Sequence, residues 1–136
     1  MIDIESELYD TIKTHVQAQT GYSNVYFTSV YEPAPSAFPC AYGEEVSNSM
    51  ARENQDSSLT EKFAIVSYKW EVFSNKSSGK KAECKAIADL IDEKMIALGF
   101  TRDSSSPIPN LADATIYRMR LIYTSKVDSN KVIYRR

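Results

Sequence analysis

The chain has 136 residues, 43% hydrophobic and 25% charged, with 16 basic and 18 acidic side chains and a formal net charge of −2. That length fits one domain with a single core. The composition excludes wholesale disorder, and the charge balance excludes a global field drawing the chain to nucleic acid or an anionic membrane.

The first element reads as a helix. Ile4, Leu8, Ile12 and either His15 or Val16 form one apolar stripe. Asp3 is placed to cap it, Ser6 and Glu7 suit its first turn, and Gly21 is its expected stop. Residues 25–31 (VYFTSVY) are β-branched and aromatic and read as a strand. Pro33, Pro35 and Pro39 interrupt regular structure, and a second strand is expected from about Cys40 to Ser47. Residues 47–62 (SNSMARENQDSSLTEK) are polar and lack apolar periodicity, which predicts a long mobile loop.

Residues 63–73 alternate cleanly. Ala64, Val66, Tyr68, Trp70 and Val72 share one face, and Phe63, Ile65, Ser67, Lys69 and Glu71 share the other. A turn at residues 75–80 leads into a second helix, with Cys84, Ile87, Ala88, Ile91, Met95 and Leu98 on one side. Asp89, Asp92, Glu93 and Lys94 lie largely opposite, and Gly99 stands at the C-cap. Residues 102–110, with Pro107 and Pro109, read as a loop. A last long strand is expected over residues 115–127, with Tyr117, Met119, Leu121 and Tyr123 on one face. Its other face carries Arg118, Arg120, Ile122 and Thr124. A turn at residues 128–130 precedes a short tail or edge strand at 131–136.

The order α-β-β-β-α-β predicts a single α+β domain, both helices covering one face of a twisted, mainly antiparallel or mixed sheet. Tyr68, Trp70, Met119 and Leu121 should meet Leu8, Ile87 and Ile91 in the core. No internal repeat is found. Nothing approaches the ~18 apolar residues of a membrane span, and the N-terminal MIDIE lacks the features of a signal peptide. Cys40 and Cys84 are the only cysteines and form no CxxC pair. Both are read as reduced, which implies cytosolic synthesis.

Reactive chemistry is sparse. His15 is the only histidine, no cluster with metal-ligand spacing surrounds it, and a structural role is expected. The four glycines form no phosphate-binding pattern, and no GxSxG or HExxH occurs. The acidic groups Glu44–Glu45 and Asp89, Asp92 and Glu93 are read as solvated surface. The expectation is therefore a protein without catalytic, metal or cofactor residues and with no cofactor.

The basic residues Lys69, Arg118 and Arg120, with Lys126, project from the sheet face opposite the core, among Phe63, Ile65, Phe73, Ile116 and Ile122. Lys131, Arg135 and Arg136 mark the C-terminal end. Most strand aromatics point coreward, away from these cations. That mixture favours a protein contact surface over a nucleic-acid platform. The candidate self-association or partner-binding residues are Arg118, Arg120, Lys69, Phe63, Ile65 and Ile122, with Arg52 and Lys62 in the polar loop.

Several segments also carry a family likeness. An amphipathic helix precedes a Pro-rich run ending in FPCAYGEEVSN (residues 38–48). An alternating strand then closes in YKWEVFSNKSSGK (68–80), followed by KAECKAIADLIDEKMIALGF (81–100) and IYRMRLIYTSKV (116–127). Over nearly the whole chain this wording resembles the tail terminator proteins (tail completion, or tail-to-head joining) of long-tailed bacteriophages and prophages. The final VIYRR matches nothing in that pattern.

The resemblance implies an α/β fold of two helices on a twisted sheet, assembled as a homohexameric ring. Such a ring would cap the finished tail tube, stop addition of tube protein and present the docking surface for the head. Its partners would be copies of itself, the tail tube protein and a head-completion protein. DNA would be cargo in the lumen, and no membrane would be involved. The protein would stand in the host cytoplasm during assembly and then at the head–tail junction of the virion. A head-completion or connector component, or a small nucleic-acid-binding module, is the alternative reading.

Overall fold

The computed structural model describes residues 1–32, 35–50, 63–109 and 115–134. Among them lie two helices, α1 (Glu5–Gln17) and α2 (Lys80–Leu98). The strands are β1 (Tyr26–Thr28), β2 (Cys40–Met50), β3 (Phe63–Ser74), β4 (Thr101–Ile108), β5 (Tyr117–Asp128) and β6 (Ile133–Tyr134). The fold is α+β. One sheet runs in the order β1-β2-β3-β5-β4, with β6 also pairing with β5. β1 lies parallel to β2 and the other pairs are antiparallel, so the sheet is mixed.

The local reasons for the helices are legible. The Asp3 carboxylate accepts the Glu5 N–H at 3.0 Å, and Glu5 and Glu7 occupy the positive end of α1. The helix ends at Gln17, ahead of the expected stop; Gly21, with φ of 89°, follows in a turn. Val16 takes the buried place in the stripe and His15 is half-buried. α2 closes on Gly99, with φ of 111°. There the Phe100 N–H reaches the Met95 carbonyl and the Gly99 N–H reaches that of Ile96, both at 3.1 Å. Met95 and Phe100 are both buried, completing the hydrophobic contact that accompanies this helix end.

Both helices pack on one face of the sheet. Ala64, Val66, Tyr68, Trp70 and Val72 of β3 are all fully buried there with Leu8, Ile12, Ile87, Ile91 and Met95. Met119, Leu121 and Tyr123 of β5 extend the layer. Each fully buried aliphatic side chain contributes roughly 1.5–3 kcal/mol relative to exposure. Trp70 is the centre of an aromatic group: Tyr9 of α1 stacks on it at 6.1 Å between ring centroids, and Phe27 meets it edge-on at 5.9 Å. Both cysteines are buried and free. Cys84 belongs to this core and Cys40 to a separate cluster, so the fold does not bring the two thiols together.

Four expectations are corrected. β2 continues past Ser47 to Met50, with an irregularity between Glu45 and Ser47 that leaves Val46 52% exposed. Residues 47–50 are therefore strand, and residues 51–62 of the expected loop lie outside the described residues. The strand expected over 25–31 shortens to three residues held parallel to β2. The expected loop at 102–110 is largely the edge strand β4, whose polar TRDSSSPI wording shows no alternation. Pairing with β5 imposes its conformation, and Pro107 is tolerated because an edge strand needs no donor on its open side. The element order is consequently α-β-β-β-α-β-β-β.

Candidate functional site

The face of the sheet turned away from the helices holds the candidate contact residues. Cross-strand register sets Phe73 opposite Arg118, Glu71 opposite Arg120, Lys69 opposite Ile122 and Ile65 opposite Lys126. All eight side chains therefore share the outer face, because side chains alternate along each strand.

At one end this face closes into a second, smaller core. Cys40, Tyr42, Phe73 and Ile116 are buried together, with Tyr26 and Phe38 packed against them. Phe73 and Ile116, grouped from the sequence with an open contact surface, are thus covered by their own subunit. Glu71 is fully buried beside this cluster. The Arg118 Nε and Nη2 both hold its Oε1, and the Lys69 ammonium stands 3.4 Å from Oε2. Oε2 nonetheless has no partner in hydrogen-bonding geometry, so Lys69 acts there through charge.

The guanidinium of Arg118 also lies over two rings, 5.3 Å from the Tyr31 centroid and 5.5 Å from that of Phe73. Lys69 lies 5.3 Å from the Tyr42 ring. A buried carboxylate costs several kcal/mol unless it is paired. Arg118 supplies the pairing, and its side chain is only 14% exposed. It is committed inside its own chain.

The rest of the face is more open. Ile65 is 37% exposed, and Ile122 and Arg120 are half-buried. Arg120 makes no ion pair with the described residues, since its register partner Glu71 turns to Arg118 and Lys69. Phe63 is half-buried, with the Tyr134 ring at 5.6 Å and the Lys126 ammonium at 4.7 Å. Asp103 accepts a hydrogen bond from Thr124 at the β4 border of the face. Of the sequence candidates, the structure brings Arg118, Arg120, Lys69, Phe63, Ile65 and Ile122 onto one face. Arg52 and Lys62 lie outside the described residues, as do Arg135 and Arg136.

Asp92 corrects another expectation, that of a solvated helix surface. It accepts the Tyr123 hydroxyl proton at 2.7 Å and pairs with Arg102 at 2.8 Å. These groups stitch α2 to β4 and β5. Burial, then the bond to Asp92, holds the Tyr123 hydroxyl well above the usual phenol range. The Cys40 and Cys84 thiols are each pushed up to about 12, by burial first and by Glu32 and Glu83 second. Among the described residues, no group of three or more His, Cys, Asp or Glu could hold a metal ion, and no helix is long and apolar enough to cross a membrane.

Sequence reasoning missed Glu71, Tyr31 and Tyr42 as parts of this site. The alternating pattern places Glu71 on the outer face correctly. Its burial depends on which strand supplies the diagonal arginine, and that pairing is not written in local sequence. No protein-family model matches the chain, and no curated protein matches its sequence.

Proposed function

We propose that this chain is a structural assembly subunit of a phage or prophage particle. It associates with copies of itself into a ring, taken as a hexamer from the family resemblance. The ring caps the completed tail tube, ends tube-protein addition and offers the surface on which the head docks. The observation that carries the assembly role is the outer sheet face: exposed Ile65 and half-buried Ile122 share it with Arg120, a cation without an ion pair among the described residues. An apolar surface studded with an uncompensated charge gains from cover by a partner. The sequence likeness to tail terminators adds the identity of the particle.

A nucleic-acid-binding role draws some support from the cations that lie over rings on this face. Tyr42 and Phe73 are nearly fully buried, however, so they offer bases no free stacking surface. Assembly is the better supported reading. The test is to add purified protein to polymerising tail-tube protein and measure tube lengths by electron microscopy. Arrested tubes with a density at one end are expected; unrestricted growth with bare ends would overturn the tube-capping role.

A further inference from the structure

After β5 the chain turns back and lays a strap over the end of that strand. β6 sets Ile133 opposite Val127 and Tyr134 opposite Lys126. What lies beneath is core: Val127 and Ser125 are fully buried, and Ile133 borders a groove with Ile4, Leu8 and Leu98. The Ser125 hydroxyl donates to the Tyr134 carbonyl at 2.6 Å. The Tyr134 ring lies 5.6 Å from that of Phe63, so the strap reaches the outer sheet face.

The strap is lightly held for what it covers. Its paired strand is two residues long, Val132 and Tyr134 are exposed, and Ile133 is half-buried, so little apolar area fastens it. Its side-chain ties lie at the surface. The Lys131 ammonium meets Glu7 at 2.6 Å with both side chains exposed, and the Tyr134 hydroxyl donates to Asp128 at 2.9 Å. Exposed ion pairs contribute little in water. The turn itself is strained. Lys131 has φ of 65°, the one positive φ outside glycine among the described residues, where its Cβ crowds the backbone. The Asp128 carboxylate offsets this in part by accepting the N–H groups of Asn130 and Val132 at 2.8 and 2.9 Å.

Lifting the strap uncovers Val127, Ser125 and the groove, and an equivalent segment restores their cover. The surface that fits this segment is already occupied by it within the chain, so the same segment of another copy meets identical contacts there. Exchange keeps the contacts of Ile133 and Tyr134, and it lets the turn run extended, which frees Lys131 from the left-handed region. Swapping an identical element between protomers is a low-cost route to association. We propose that β6 of one copy takes the place of β6 on β5 of the next, with residues 129–131 as the hinge. This link rests on the ring reading above and deepens it by naming what joins neighbouring subunits.

The test traps the exchange with a disulfide. Lys126→Cys and Tyr134→Cys stand directly opposite each other, within reach of such a bond. The two single variants of the full chain are unfolded, mixed, refolded together under reductant and then oxidised with oxidised glutathione. A covalent heterodimer is expected on a non-reducing denaturing gel, absent from either variant alone, because Cys40 and Cys84 are buried. Lys131→Gly and Lys131→Pro, each placed in both chains, check the hinge. Both lose the Glu7 pairing, but glycine accepts a positive φ and proline forbids it. The heterodimer should be at least roughly fivefold more abundant with proline, as the left-handed penalty implies. Should the added cysteines impair refolding, sedimentation velocity of the two Lys131 variants alone gives the same comparison, with proline the more associated.

A mixture without heterodimer, or equal association of the glycine and proline variants, overturns the exchange. If the wild type still sediments as a closed oligomer, the ring reading stands without it. A wild type that is monomeric at every concentration overturns the ring as well, so the two claims fail separately.

Discussion

Gly43 and Trp70 are register partners on β2 and β3, and the Trp70 ring lies so close over Gly43 that a Cβ there would meet its atoms at 2.5–2.7 Å. The contact is with the six-membered part of the indole, on which Tyr9 stacks and which Phe27 meets edge-on. Glycine is thus a packing requirement at this position.

Gly43→Ala should destabilise the fold by about 1–3 kcal/mol, the usual cost of forcing extra volume into a packed core. Trp70→Ala should cost about 3–5 kcal/mol. Denaturant unfolding of Gly43→Ala, Trp70→Phe and the double variant checks the cause. The double should be clearly less destabilised than the sum of the singles, since Phe lacks the atoms that clash. Strict additivity would mean that the alanine acts elsewhere.

Arg118→Ala should cost about 3–5 kcal/mol, because it leaves the Glu71 carboxylate buried with only Lys69 nearby. Glu71→Gln combined with Arg118→Met should recover much of that loss. Chemical denaturation of the three variants decides the point, and an Arg118→Ala chain as stable as the wild type would contradict the pairing. Arg118 is for this reason a poor probe of contacts between subunits, whereas Arg120 and Ile65 are suitable ones.

Glu45→Gln should stabilise the chain at neutral pH. The folded-state pKa of Glu45 is raised above 4.5, so the folded state holds this proton more tightly than the unfolded one does. The favourable contribution is fully present below the unfolded value and is lost as pH rises through the folded one. Thermal melts should show the Gln variant ahead at pH 7 and level with the wild type below about pH 4. A variant with the same advantage at both pH values would contradict the raised pKa, which burial causes first and the charge of Glu5 second.

Neither cysteine should react readily in the native protein. Thiols pushed up to about 12 hold almost no thiolate at pH 8, and both side chains are buried. Labelling by a thiol reagent should therefore follow unfolding, accelerating in denaturant in step with loss of the native circular dichroism. Fast labelling of either residue in buffer would mean that its element opens locally.

The parts of the fold legible in the sequence are those with a buried face of regular period. β5 alternates along its length and β3 along its first half and more, and α2 carries its apolar stripe and closes on Gly99 followed by Phe100, so their faces and the meeting of Trp70 with the helices could be read directly. β4 could not, because an exposed edge strand has no apolar period and borrows its conformation from β5. Likewise the outer face was readable as a set of residues, yet its division was not. Phe73, Ile116 and Glu71 are sealed by Tyr42, Tyr26 and Arg118 from other strands and loops, while Ile65 and Arg120 stay open. That division depends on non-local pairing. Asp92 was misjudged for the same reason: its partners Arg102 and Tyr123 come from the strand that could not be read and from its neighbour.

Association through the outer sheet face is tested most directly by sedimentation velocity of the wild-type chain beside Ile65→Asp and Arg120→Glu, over a wide concentration range. The wild type should form one closed oligomer of fixed stoichiometry. Both variants should remain largely monomeric, and Ile65→Asp should unfold close to the wild type, since exposed substitutions usually change stability by less than about 0.5 kcal/mol. A wild-type chain that stays monomeric throughout, or three identical sedimentation profiles, would contradict it.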